Sequence, residues 1–257
     1  MVTLKSITNR GVDIKRYLYF CLCMMLFAHP LFAKEKDAEK ITIAEDEAYL
    51  EIIDRLKGGD KEIDFLELRM LYAKTGFYIP YGYSERKEIR IKAIEAFKKE
   101  NYKKVLKLAE KIFENDYLDL NTHFMCMISY KNLEESEKEE YHKFVLNGLI
   151  DSVVSYGDGR SPETAYKVIS TREEEFILTT LGYITATRDE IRTKKHAFDK
   201  IFAKNLENQK KKVLYFNKDV PNKWLNDKYS GVIDPEKEQE KESRWDRFKK
   251  DYITYED

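Results

Sequence analysis

Apolar residues recur at helical spacing from Ala44 onward, and the pattern holds through the first half of the chain. Tyr49, Ile52, Ile53 and Leu56 share one face, and Gly58-Gly59 supply a stop. Asp60 stands where a cap for a second helix is expected, with Ile63, Leu66, Met70 and Leu71 on one stripe. Thr75–Ser84 (TGFYIPYGYS) interrupts the spacing with an aromatic loop carrying a proline and two glycines. Four further helices follow: one marked by Ile89, Ala93, Ile94 and Phe97, and one by Val105, Leu108, Ala109, Ile112 and Phe113. The third covers Asn121–Tyr130 and the fourth Glu139–Ser155. Their short polar links favour antiparallel neighbours.

After Tyr156 the texture changes. Gly157-Asp158-Gly159 signals a turn, and Thr164–Ser170 (TAYKVIS) has strand composition. Thr171-Arg172-Glu173-Glu174 reads as a capping box opening a helix through Leu181. Tyr183–Thr187 suggests a second strand, Asp189–Lys210 a longer helix with Ile191, Phe198, Ile201 and Phe202 inward, and Val213–Asn217 a buried last strand. The expected fold is α+β and predominantly helical: antiparallel helical hairpins followed by a small β-sheet, in one globular domain over residues 44–220. The rhythm of residues 101–155 resembles tetratricopeptide-type repeats, with about one and a half units visible. Residues 221–257 form a tail dense in charge of both signs, expected to be partly helical from Asp234-Pro235 onward, with Trp245, Phe248 and Tyr252 spaced to share a face.

The start of the chain sets its address. Lys5, Arg10, Lys15 and Arg16 precede the unbroken apolar run Tyr17–Ala28, and Leu31-Phe32-Ala33 stands just before the charged Lys34-Glu35-Lys36-Asp37. This is the arrangement of a secretory signal peptide over residues 1–33, followed by a flexible leader over 34–43. The run falls short of the roughly 20 apolar residues of a spanning helix, so the expectation is an exported protein, periplasmic or secreted. The alternative is a protein tethered to the inner membrane by an uncleaved signal, and membrane contact is expected only through that segment.

Without residues 1–33 the chain keeps 42 basic and 46 acidic residues, a net charge of −4, and this is no nucleic-acid footprint. It also keeps a single cysteine, Cys126, so no internal disulfide can form and the core must hold the fold.

Three blocks resemble a bacterial family of exported proteins described as a domain of unknown function. They are Asp64–Ala73 (DFLELRMLYA) with Tyr78–Gly82, then Gly157–Tyr183 (GDGRSPETAYKVISTREEEFILTTLGY), then Leu214–Asn217. The resemblance implies an exported single domain with repeat-like helices in its middle, and it implies no activity.

Two sets of residues are candidate sites. Asp158, Arg160, Tyr166 and Glu174 would form a small-ligand site around the GDGR loop, since glycine-rich turns can present backbone amides to an anion. The same glycines also suit any tight turn. Tyr78, Tyr81 and Tyr83 would contact a protein partner, because tyrosine joins apolar area to a polar tip; such a loop can equally pack over the end of a helical hairpin. Glu173–Glu175 sit where a helix N-terminus favours acids. His123, Cys126 and His142 are too few to argue for a metal, and no catalytic motif, metal or cofactor is expected. The sequence thus points to a protein-binding or scaffold module meeting an envelope or secreted partner. The alternative is a ligand-binding protein or enzyme centred on the GDGR loop.

Overall fold

The computed structural model describes residues 44–81 and 84–229. The signal segment, the leader, Tyr83 and the tail from residue 230, with its aromatic stripe, lie outside the described residues.

Helix α1 spans 44–57 and buries Tyr49, Ile53 and Leu56. The cap of α2 (Phe65–Tyr72) is Asp64, not Asp60: its carboxylate accepts from the amides of Leu66 and Glu67, both at 2.9 Å. Asp60 is occupied one turn earlier, accepting from Arg55 and from the Glu62 amide. Helices α3 (Ser84–Lys98), α4 (Tyr102–Phe113), α5 (Leu120–Asn132) and α6 (Ser136–Val154) follow through short links, each packed on its neighbour. These are the expected hairpins. Polar caps set the starts of α4 and α5, with Asn101 accepting from the Lys104 amide and Asp119 from the Thr122 amide.

A mixed four-stranded sheet completes the α+β fold. Its strands are β1 (Tyr166–Lys167), β2 (Tyr183–Arg192), β3 (Ala197–Asn205) and β4 (Lys211–Asn217), in the order β1-β4-β3-β2. Only β1 and β4 are parallel, and β2 carries a register shift between Thr185 and Thr187. The 164–170 strand is thus reduced to two residues. The expected 189–210 helix is instead the end of β2, a turn and all of β3. Thr193 makes that turn: its amide donates to the His196 carbonyl and its hydroxyl accepts from the His196 amide. Adjacent Ile201 and Phe202 fit a helical stripe in sequence, yet in the central strand they point to opposite faces and only Ile201 is fully buried.

Between β1 and β2, α7 (Thr171–Thr180) is capped by Ser170, whose hydroxyl accepts from the Glu173 amide. Thr171 is already inside the helix. Helix α8 (Asp219–Tyr229) leaves the sheet and returns Val220 and Trp224 to the helical half.

The core has three parts. One joins α1, α2 and α6 around Leu56, Leu68 and Leu149; a second lies among α3, α4 and α5 around Ala93 and Val105; the third fills the space between α7 and the sheet around Leu178, Ile201 and Phe216.

Candidate functional site

The first turn of α7 sends charged side chains in three directions, and each meets a different part of the fold. Glu173 reaches α2. Arg69 is fully buried, and its Nε and Nη2 donate to the two Glu173 oxygens at 3.0 and 2.7 Å. The other guanidinium contacts are the Ser152 carbonyl and hydroxyl and the Lys167 carbonyl, while the Ile169 amide donates to Glu173. One ion pair thereby ties together α2, α6, β1 and α7. Breaking such a pair by removing one partner costs about 3–5 kcal/mol.

Arg172 reaches Asp116 at 2.9 Å and Asp119 at 3.5 Å, and Arg90 of α3 contacts the same two carboxylates at 2.8 Å each. Burial and the Asp119 charge push the Asp116 carboxyl up. Asp119, equally buried, is held down at about 2 by Arg90, Arg172 and its Thr122 bonds. The recess beside this cluster, next to Tyr72 and Tyr78, measures about 20 Å³. That is room for about one water.

Glu174 reaches the sheet. It is fully buried, with Oε2 3.1 Å from Arg188 and neither carboxyl oxygen in a hydrogen bond. Asp199, also buried, lies 2.7 Å from Lys218 and 3.1 Å from Arg188, and Arg188 further pairs with Glu175 at 2.7 Å. Burial first, and the Asp199 charge second, raise Glu174 well above the usual carboxylate range. Chemically this is a carboxyl group whose protonated form is favoured by burial, beside Asp199, which pairs with two cations. Burial pushes the Tyr81 phenol up as well, aided by Glu174, Asp199 and Glu190. The structure thus brings Tyr81 and Glu174, from the two candidate sets, into one electrostatic neighbourhood.

Asp158 and Arg160 do not join them. Their side chains are 51% and 75% exposed and pair with each other at 3.2 Å. The Asp158 carboxylate also accepts from the Thr164 hydroxyl and the Arg160 amide, so its acceptors serve the turn itself. Gly159 has φ +69°, and a Cβ there would lie 2.4 Å from the Tyr166 ring. Its carbonyl accepts from the Tyr215 amide, which sews the loop to β4. Tyr166 is buried in the sheet core, and neither recess is lined by Asp158, Arg160, Tyr166 or Glu174.

The aromatic loop turns inward. Tyr78 is buried and its hydroxyl donates to the Ile169 carbonyl at 2.6 Å; Tyr78 and Tyr81 both lie against Trp224. His123 and His142 form a buried pair with their Nδ1 atoms 2.9 Å apart. Among the described residues no group of three or more His, Cys, Asp or Glu is placed to hold a metal ion.

A broad, open groove of about 870 Å³ lies between the end of α2, the 75–79 turn and α8. Met70, Ala73, Ile79, Val220 and Trp224 give it an apolar floor, and Lys74, Lys223, Lys228, Glu45 and Asp227 give it a charged margin. Sequence reasoning placed neither this groove nor the buried ions. The signals were present but isolated: one arginine inside the stripe FLELRMLY and one aspartate inside the strand AFDKIFAK.

No curated protein and no solved structure matches the chain. A family model does, described as a domain of unknown function (DUF4919), over residues 37–226. That match takes in every described helix and strand up to residue 226 in α8, and with it the α7 ion network and all of the groove lining except Asp227 and Lys228; the chain belongs to the DUF4919 family.

Proposed function

We propose that this is an exported protein of the cell envelope and a non-enzymatic binding or scaffold module, with the α2–α8 groove as its contact face. The groove itself carries this reading: it joins an apolar floor and a half-buried tryptophan to a charged margin, the composition of a recognition surface. The buried ion clusters support it differently, since their contacts join helices and strands of the fold to one another. The test uses residues 34–257 as bait on solubilised envelope extract. One protein should be retained, and its retention should be lost on Lys74→Glu, a change at an exposed position, and on Trp224→Ala. Retention unaffected by either change would sink the reading.

A second reading, a small-ligand site or enzyme, draws on Glu174, a buried acid neither of whose oxygens is hydrogen-bonded. It moves the candidate chemistry from the GDGR loop to the space between α7 and the sheet. Screening small ligands by thermal shift, with Glu174→Gln as control, tests it. A ligand that stabilises the two proteins equally would count against it.

A further inference from the structure

The groove is bounded on one side by α8, the last described helix, and Lys228 in its final turn is part of the groove lining. The chain therefore leaves α8 at the groove mouth with 28 residues, 230–257, still to place. We propose that this C-terminal segment is the groove's occupant. The inference rests on the groove reading above.

Three observations carry it. The first is reach. The residues between Tyr229 and Trp245 span about 24 Å at a helical rise of about 1.5 Å per residue, and more if extended. The second is the match of apolar chemistry. Trp245, Phe248 and Tyr252 recur at spacings of three and four, the pattern by which an amphipathic segment lays one face into an apolar groove. The floor that would receive them is made of Met70, Ala73, Ile79, Val220 and Trp224. The third is charge. The groove margin carries Lys74, Lys223 and Lys228 against Glu45 and Asp227. The stretch leading to the aromatic stripe carries Asp234, Glu236, Glu238, Glu240 and Glu242 against Lys237, Lys241 and Arg244. An acidic approach followed by aromatic anchors suits a margin with more lysines than acids. Tethering helps further, because an attached segment faces its site at a high effective concentration and needs little intrinsic affinity.

The sequence contains two tryptophans, so Trp245→Phe leaves Trp224 as the sole indole reporter while keeping an aromatic anchor. Acrylamide quenching of Trp224 is measured in the purified chain carrying Trp245→Phe alone, and then with Phe248→Ala and Tyr252→Ala added. Quenching should rise when the anchors are removed. In parallel, carbodiimide coupling followed by mass spectrometry should join Lys74 or Lys223 to an acid within 234–242 in the monomer band. Equal quenching in the two proteins with no such cross-link overturns the proposal. Cross-links confined to a dimer band also overturn it, and make a second copy the occupant. Both readouts use the isolated protein, so their failure would leave the binding-module reading standing. Conversely, a bait that captures nothing would not touch an observed tail contact.

Discussion

Acid should act on this protein through His123 and His142. His123 Nε2 lies 2.7 Å from the Tyr117 carbonyl, which can only accept, so that nitrogen carries the proton. His123 Nδ1 is then the acceptor, and His142 Nδ1 donates to it. A second proton on His123 would set two donors against each other inside a box of Phe113, Tyr117, Tyr130 and Tyr141. Burial accordingly lowers both rings from 6.5, His123 to about 4 and His142 to about 3, the latter with help from the His123 charge. The unfolded chain thus binds more protons below pH 6.5, and stability present above that pH is lost as the pH falls toward 4. At about 1.36 kcal/mol per unit of pH and proton, going from pH 7.5 to 5.0 costs about 2 kcal/mol per ring, about 4 kcal/mol for the pair. Glu174 works in the opposite direction, because its raised pKa favours the folded state on acidification, so wild type alone does not isolate the histidines. Urea unfolding at both pH values, compared between wild type and His142→Phe, does isolate them. The variant should lose about 2 kcal/mol less on acidification, and His123→Phe/His142→Phe about 4 kcal/mol less. Equal acid losses in all three proteins would refute the reasoning.

Other changes have sharp expected outcomes. Arg69→Ala should cost about 3–5 kcal/mol in urea unfolding by leaving Glu173 buried and unpaired, whereas Arg69→Met/Glu173→Leu should recover much of that; a double variant no more stable than the single would contradict the account. Gly159→Ala should cost about 1–3 kcal/mol through its left-handed backbone and the Tyr166 ring. Arg160→Ala beside it should leave the melting temperature unchanged, and a reversed ranking would mean the loop is not held as described. The Cys126 thiol is buried and pushed up to about 12 by burial, with Asp119 and Glu110 adding to it. Ellman's reagent should therefore label it only in denaturant, and rapid labelling of the native protein would show that α5 opens.

The helical hairpins were legible in the sequence because each buries one stripe against its neighbour, so spacing alone carries the signal. The β2–β3 hairpin was not. Its turn, Thr193–His196, contains no glycine or proline, and its strands carry enough charge to pass for a helix face. The caps slipped by one to four residues because Asp60 and Asp64, or Ser170 and Thr171, are chemically equivalent in sequence, and only the backbone decides between them. Of the candidate residues, Glu174 proved central to an ion cluster through partners the sequence does not announce. Arg69 and Glu173 are 104 positions apart, and nothing local joins them. The GDGR block stood out in sequence for a different reason: its glycines accommodate Thr164 and Tyr166 at distances no side chain would allow.

The outer strand β2 bears on how any second protein can be met. A sheet edge normally offers a row of amides and carbonyls that a foreign strand can extend, and proteins guard such edges with irregularity and charge. Here the ladder slips between Thr185 and Thr187, just before Arg188, Asp189, Glu190 and Arg192, while the opposite edge is a strand of two residues. Both features make these borders poorer templates for β-augmentation than a long regular edge would be. Among the described residues the sheet thus carries at its borders the irregularity and charge that disfavour edge-to-edge growth.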